Sequence, residues 1–140
     1  MKKGQYFTDL LGEINQTVES SGKIKPIAPL ADALDRAASR AEETAVHLGT
    51  LAMGDLLIGW MMLQRAEKAA VQLEKILDGL DEKQKQNKIS THKKAAFYQG
   101  QISTAEFFIH GELSVTLGKF DAICATCDAA VTIPEMAFGA

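Results

Sequence analysis

Cysteine, proline and aromatic residues are all scarce in this chain, and each shortage closes off a class of answer. The two cysteines, Cys124 and Cys127, could form at most one bridge, so the chain is no disulfide scaffold. Their Cys-x-x-Cys spacing falls late in a helical pattern. A thioredoxin-like motif would follow a strand and open a helix, and a zinc site would need two further ligands nearby. Two small core residues are the expected reading. Three prolines, Pro26, Pro29 and Pro134, leave long stretches uninterrupted, and aromatics make up only 6% of the chain. No segment sustains the apolar–polar alternation of a strand.

Long apolar runs are also missing. The longest, Leu56 to Leu63, stops at Gln64-Arg65, well short of the roughly 20 residues that a membrane span requires. The N-terminus, Met1-Lys2-Lys3-Gly4, reaches polar and acidic residues by Thr8-Asp9 without the apolar core of a secretory signal, so a cytoplasmic location is expected. Net charge is -3, which gives no global reason to bind nucleic acid. There is no Gly-x-Gly-x-x-Gly, no phosphate loop and no nucleophile elbow.

What the chain has in quantity is helical periodicity. Apolar residues form 46% of the 140, enough for one folded domain over residues 1–140. Phe7, Leu10, Leu11, Ile14 and Val18 recur at three- and four-residue steps and predict a first helix over about Gln5 to Ser20, closed by Gly22. Pro29 suits the first turn of the next helix. From Leu30 one stripe runs through Leu34, Ala37, Ala41, Ala45, Leu48 and Ala52. A second runs through Ile58, Met62, Ala66, Ala69, Leu73, Ile76 and Leu80. The stripes change phase near Gly49, where a break is expected, and Gly49, Gly54 and Gly59 suit close helix packing. Asp81 to Lys94 is polar and holds Lys83, Lys85, Lys88, Lys93 and Lys94. It predicts an exposed connection and a new start capped near Ser90-Thr91. A last long helix carries Tyr98, Ile102, Ala105, Ile109, Leu113, Thr116, Phe120, Ile123, Cys127 and Ala130, with Gly118 loosening its middle. Pro134 ends it, and Met136 and Phe138 in the tail are expected to dock. The fold class is therefore all-α, an antiparallel bundle of three to four long amphipathic helices.

Two constellations carry possible chemistry. Glu43/His47 and Glu106/His110 each sit four apart, and helical bundles can hold metals between such pairs. Those sites usually use Glu-x-x-His with further carboxylates, and both pairs here lie beside the apolar stripe. Exposed helix pairs are expected instead, with no metal site and no catalytic residue assigned. The lysines from Lys83 to Lys94 could attract coenzyme phosphates or an acidic membrane surface, although such runs are commonly just solvated.

More informative is an excess of apolar surface. Around Gly59-Trp60-Met61-Met62, and again at Phe107-Phe108, apolar residues extend beyond the single stripe that a surface helix needs. A small bundle has one core and cannot cover every face of its helices. Trp60, Met61, Phe107 and Phe108 are therefore the interface candidates, meeting another domain or a second copy of the chain.

The same residues bring a resemblance. Leu57-Ile58-Gly59-Trp60, Lys94-Ala95-Ala96-Phe97-Tyr98-Gln99-Gly100-Gln101, Thr104-Ala105-Glu106-Phe107-Phe108 and Ile133-Pro134-Glu135-Met136-Ala137-Phe138 resemble, in order and spacing, the C-terminal helical extension of the longer bacterial acyl-CoA dehydrogenases. Leu113 is followed by Ser114 where that family commonly has Leu-Pro, and the connection before the Gly-Trp helix is shorter here. The resemblance implies an accessory domain that packs on the dehydrogenase core or braces its dimer. The parent enzyme would use FAD to desaturate an acyl-CoA thioester. No position matches the family's glutamate base or its flavin contacts, so the resemblance implies no cofactor in this chain and no activity from it alone.

Overall fold

The computed structural model describes residues 3–43, 50–125 and 132–139, and among these there is no strand. Six α-helices follow in order: α1 (Lys3–Gly22), α2 (Ala28–Glu43), α3 (Thr50–Leu77), α4 (Glu82–Thr91), α5 (Lys93–His110) and α6 (Glu112–Cys124). A 3-10 turn, Lys25–Ile27, joins α1 to α2, and Pro29 occupies the first turn of α2 as its fixed φ allows. Four of the helices are long, from the 16 residues of α2 to the 28 of α3.

Side-chain bonds give the directions. Thr17 meets Trp60 and Ser21 meets Glu67, so α1 and α3 ascend together. Asp55 meets Thr116 and Arg65 meets Gln101, so α5 and α6 descend along α3. Arg40 on α2 pairs with Asp121 on α6. The bundle is thus up, down, up, down, with α5 and α6 sharing the last descent and α4 linking it to α3.

The core collects one stripe from each long helix. Leu11 and Ile14 of α1, Leu30, Leu34, Ala37 and Ala41 of α2, Ala52, Leu56, Leu63 and Ala66 of α3, and Ile102, Ala105 and Ile109 of α5 are all buried, with Leu113 and Phe120 from α6. Many of these residues are alanines, which lets the helix axes come close. Gly59 takes this furthest: a Cβ there would lie 3.3 Å from Leu34 Cδ1 and 3.4 Å from Leu113 Cδ2, so three helices meet over a missing side chain.

Several sequence expectations are corrected. In α3 the buried stripe runs through Leu56, Gly59 and Leu63, and Ile58 is 42% exposed. The run 56–63 is apolar all round, so its inward face cannot be read from pattern alone. The last descent breaks at Gly111 and not at Gly118, through which α6 continues. Gly111 donates its N–H to the Phe107 carbonyl, and a Cβ there would stand 2.8 Å from that oxygen. Gly22 closes α1 without left-handed geometry, which Gly79 (φ +70°) adopts instead after α3.

The connection 82–91 is itself helical. Asp81 accepts from the Gln84 N–H while the Gln84 side chain accepts from the Asp81 N–H, a reciprocal cap that makes a helix of a polar segment with no buried residue. The cap of α5 is His92, whose Nδ1 accepts from the Ala95 N–H, and not Ser90 or Thr91. Cys124 is exposed, contrary to a core role, and Cys127 lies outside the described residues, as does the expected break at Gly49. Met136 is likewise exposed instead of docked.

Candidate interaction surface

Trp60 and Met61 are neighbours in sequence, and the 100° step of the helix sends them to different surroundings. Trp60 turns toward α1. Its indole is half-buried against the core, and Nε1 donates to Thr17 Oγ1 at 2.9 Å. Thr17 is buried and its hydroxyl donates to the Glu13 carbonyl at 3.1 Å. One turn further on, buried Ser21 donates to Glu67 Oε2 at 3.3 Å. These polar contacts along the α1–α3 seam escaped the sequence reading. The available signal was Thr17 and Ser21 continuing the Leu10–Ile14 spacing in place of apolar residues.

Met61 points away from the core and is 58% exposed. The Arg65–Gln101 bond ties α5 to α3, running antiparallel along it. Phe108 is half-buried at this seam, whereas Phe107, one step round α5, is 76% exposed. Ile58 and Met61 of α3 and Phe107 of α5 are thus exposed, Phe108 is half-buried, and Trp60 turns to α1 instead. The segments Leu56–Gln64 of α3 and Ala95–Ala105 of α5 hold no charged residue. Antiparallel about Arg65–Gln101, they overlap only near 61–64 and 102–105, and Glu106 and His110 lie along the rest of Leu56–Gln64.

The lower end of this surface is clasped. Asp55 Oδ2 accepts from Thr116 Oγ1 at 2.8 Å and from Lys119 Nζ at 2.6 Å, tying α3 to α6. The Lys119 ammonium and the Thr116 hydroxyl hold the Asp55 carboxyl below the ordinary carboxylate value, against a smaller opposing effect of burial. At the opposite end, the α1–α2 turn, the end of α3, α4 and α5 enclose an open cleft of about 840 Å³. Ile24, Leu73, Leu77 and Ile102 form its apolar lining, and Lys23, Lys25 and Lys85 stand with Glu74, Asp78 and Glu106 around it. Lys85 pairs with Glu82 at 2.8 Å, which raises the pKa of its ammonium.

Of the two Glu/His pairs, only Glu106/His110 falls wholly among the described residues. Glu106 and His110 are exposed on α5, while the Glu43 side chain and His47 lie outside the description. No three His, Cys, Asp or Glu side chains converge as metal ligands among the described residues. No helix there is long and apolar enough to cross a membrane.

Compared with known proteins, the chain gives no match among curated proteins or solved structures. It does match a family model, described as acetyl-CoA dehydrogenase C-terminal like, over residues 50–134. That span runs from the first residue of α3 through α6 to Pro134 and is more than half of the chain. It includes Ile58, Met61, Phe107 and Phe108 and leaves α1 and α2 outside. The chain belongs to the acetyl-CoA dehydrogenase C-terminal-like family.

Proposed function

We propose that this chain is an accessory helical domain of an acyl-CoA dehydrogenase-like flavoprotein, and that its α3/α5 outer face packs on the catalytic core or braces the dimer. The observation that carries this reading is the exposure of Ile58 and Met61 on α3 and Phe107 on α5, large apolar side chains that all fall inside the span matching the family. Interface centres are poor in charge and rich in aromatic residues and methionine, whereas an ordinary solvated helix face carries charge. The family match supplies the class of partner. The parent reaction is FAD-dependent α,β-desaturation of an acyl-CoA, carried out by a core that this chain assists. In this reading the chain itself holds no flavin and turns over no substrate.

The test uses a dehydrogenase core stripped of its own C-terminal domain of this family. Gel filtration of the mixture should carry flavin absorbance and this chain in one peak, and Met61→Ser with Phe107→Ser should separate them. A yellow chromophore copurifying with the chain alone, or a double variant that coelutes as well as the parent, would contradict the proposal.

A further inference from the structure

Charge is unevenly distributed along the chain. Asp81–Lys94 holds five lysines against two carboxylates, a net +3 in a chain of net -3, so the rest of the molecule carries -6. These lysines lie on α4 and the first turn of α5, at the end of the bundle where the α1–α2 turn adds Lys23 and Lys25. Lys23 pairs with Glu19 and Lys85 with Glu82. Lys25, Lys83, Lys88, Lys93 and Lys94 form no ion pair among the described residues. The carboxylates at this end are Glu19, Glu74, Asp78, Asp81 and Glu82, with Glu106 deeper along the cleft.

Two apolar features share this end. Phe97, one turn beyond Lys93 and Lys94 on α5, is 60% exposed and held edge-on to Tyr98 at 5.6 Å between ring centres. The cleft between α3, α4 and the α1–α2 turn opens here with Ile24, Leu73 and Leu77 in its lining. Lys93 lies about 21 Å along α5 from Phe107, at 1.5 Å per residue, so this end can be engaged while the Met61/Phe107 face is covered.

We infer that this lysine-bearing end of the bundle docks on an anionic lipid bilayer surface, with the free lysines against headgroup phosphates and Phe97 at the acyl boundary. Lysine ammoniums on flexible stems beside an exposed aromatic ring suit the bilayer interface, where charge and apolar insertion act together. An end-on approach also keeps the acidic remainder of the chain away from the membrane. A nucleic acid would favour arginine forks and a longer basic track, and this end has no arginine. The inference is independent of the proposed dehydrogenase partner.

Cosedimentation of the full chain with vesicles tests it. Binding to phosphatidylcholine vesicles containing phosphatidylglycerol should be clear at low salt, absent with phosphatidylcholine alone, and lost in 0.5 M NaCl. Replacing Lys83, Lys88, Lys93 and Lys94 by Gln should weaken partitioning roughly 10²- to 10³-fold. Phe97→Ser should weaken it about tenfold or more. All five side chains lie outside the buried core, and circular dichroism should show the helices unchanged in both variants. No binding to anionic vesicles, equal binding to neutral ones, undiminished binding by the lysine variant, or tighter binding to a DNA oligonucleotide than to vesicles would each overturn it.

Discussion

The two sides of α3 answer the same sequence problem differently. On the side toward α1, an apolar excess is met within the chain: Trp60 packs on the core and donates to Thr17, and Ser21 meets Glu67 a turn later. On the side away from the core, Ile58 and Met61 are exposed, as is Phe107 on α5, and only Phe108 is half-buried. The first side belongs to the stability of the monomer. The second leaves apolar surface in water, and it is on this side that the proposed assembly role rests. An apolar surplus in a small helical chain can thus be divided by asking which side a further helix reaches.

The comparison breaks most sharply in the core common to both sides. Phe120→Ala removes a wholly buried ring and should lower unfolding free energy by about 3–5 kcal/mol, measured by urea denaturation. Trp60→Ala comes next. The ring is only half-buried, so a loss of about 2–3 kcal/mol is expected from packing and from the Thr17 bond, with no effect on association. A weakened complex with unchanged monomer stability would move Trp60 to the interface side.

A smaller effect sharpens the account of the clasp. The Asp55 carboxyl is held below its ordinary value of 3.8 in the folded chain. Its stabilisation is therefore complete above the unfolded value and drains away as pH falls through the lowered folded one. Asp55→Asn should cost about 0.5–1 kcal/mol near neutral pH and flatten the stability loss below about pH 4, since the site is partly open to solvent. A pH profile unchanged by the substitution would remove the clasp from the account. The smallest effect is at Phe107: replacing it by Ser should change monomer stability by no more than about 0.5 kcal/mol, as expected for an exposed residue.

The long helices and most of the core were legible because their apolar residues keep a three-to-four step, as from Ile102 through Ile109 to Phe120. Legibility failed where that pattern gave no contrast. The run Leu56–Leu63 is apolar on every side, so the sequence disclosed the excess without saying that Trp60 turns inward and Met61 outward. α4 was missed because its helix rests on a reciprocal cap between Asp81 and Gln84 and not on an apolar stripe. The break at Gly111 was misplaced to Gly118 because both are glycines in one periodic stretch. Only the carbonyl of Phe107, 2.8 Å from where a Cβ of residue 111 would stand, distinguishes them. The family resemblance drew on the same α3 and α5 segments that form the outer face, and the matched span 50–134 covers them.

Whether a partner covers that face is most directly read from Met61 itself. Peroxide oxidation followed by mass spectrometry should modify Met61 readily in the dilute isolated chain, as its 58% exposure requires. In the assembly with a dehydrogenase core, or with its own copy at high concentration, the rate should fall at least tenfold. An oxidation rate equal in the isolated and the assembled states would contradict the account.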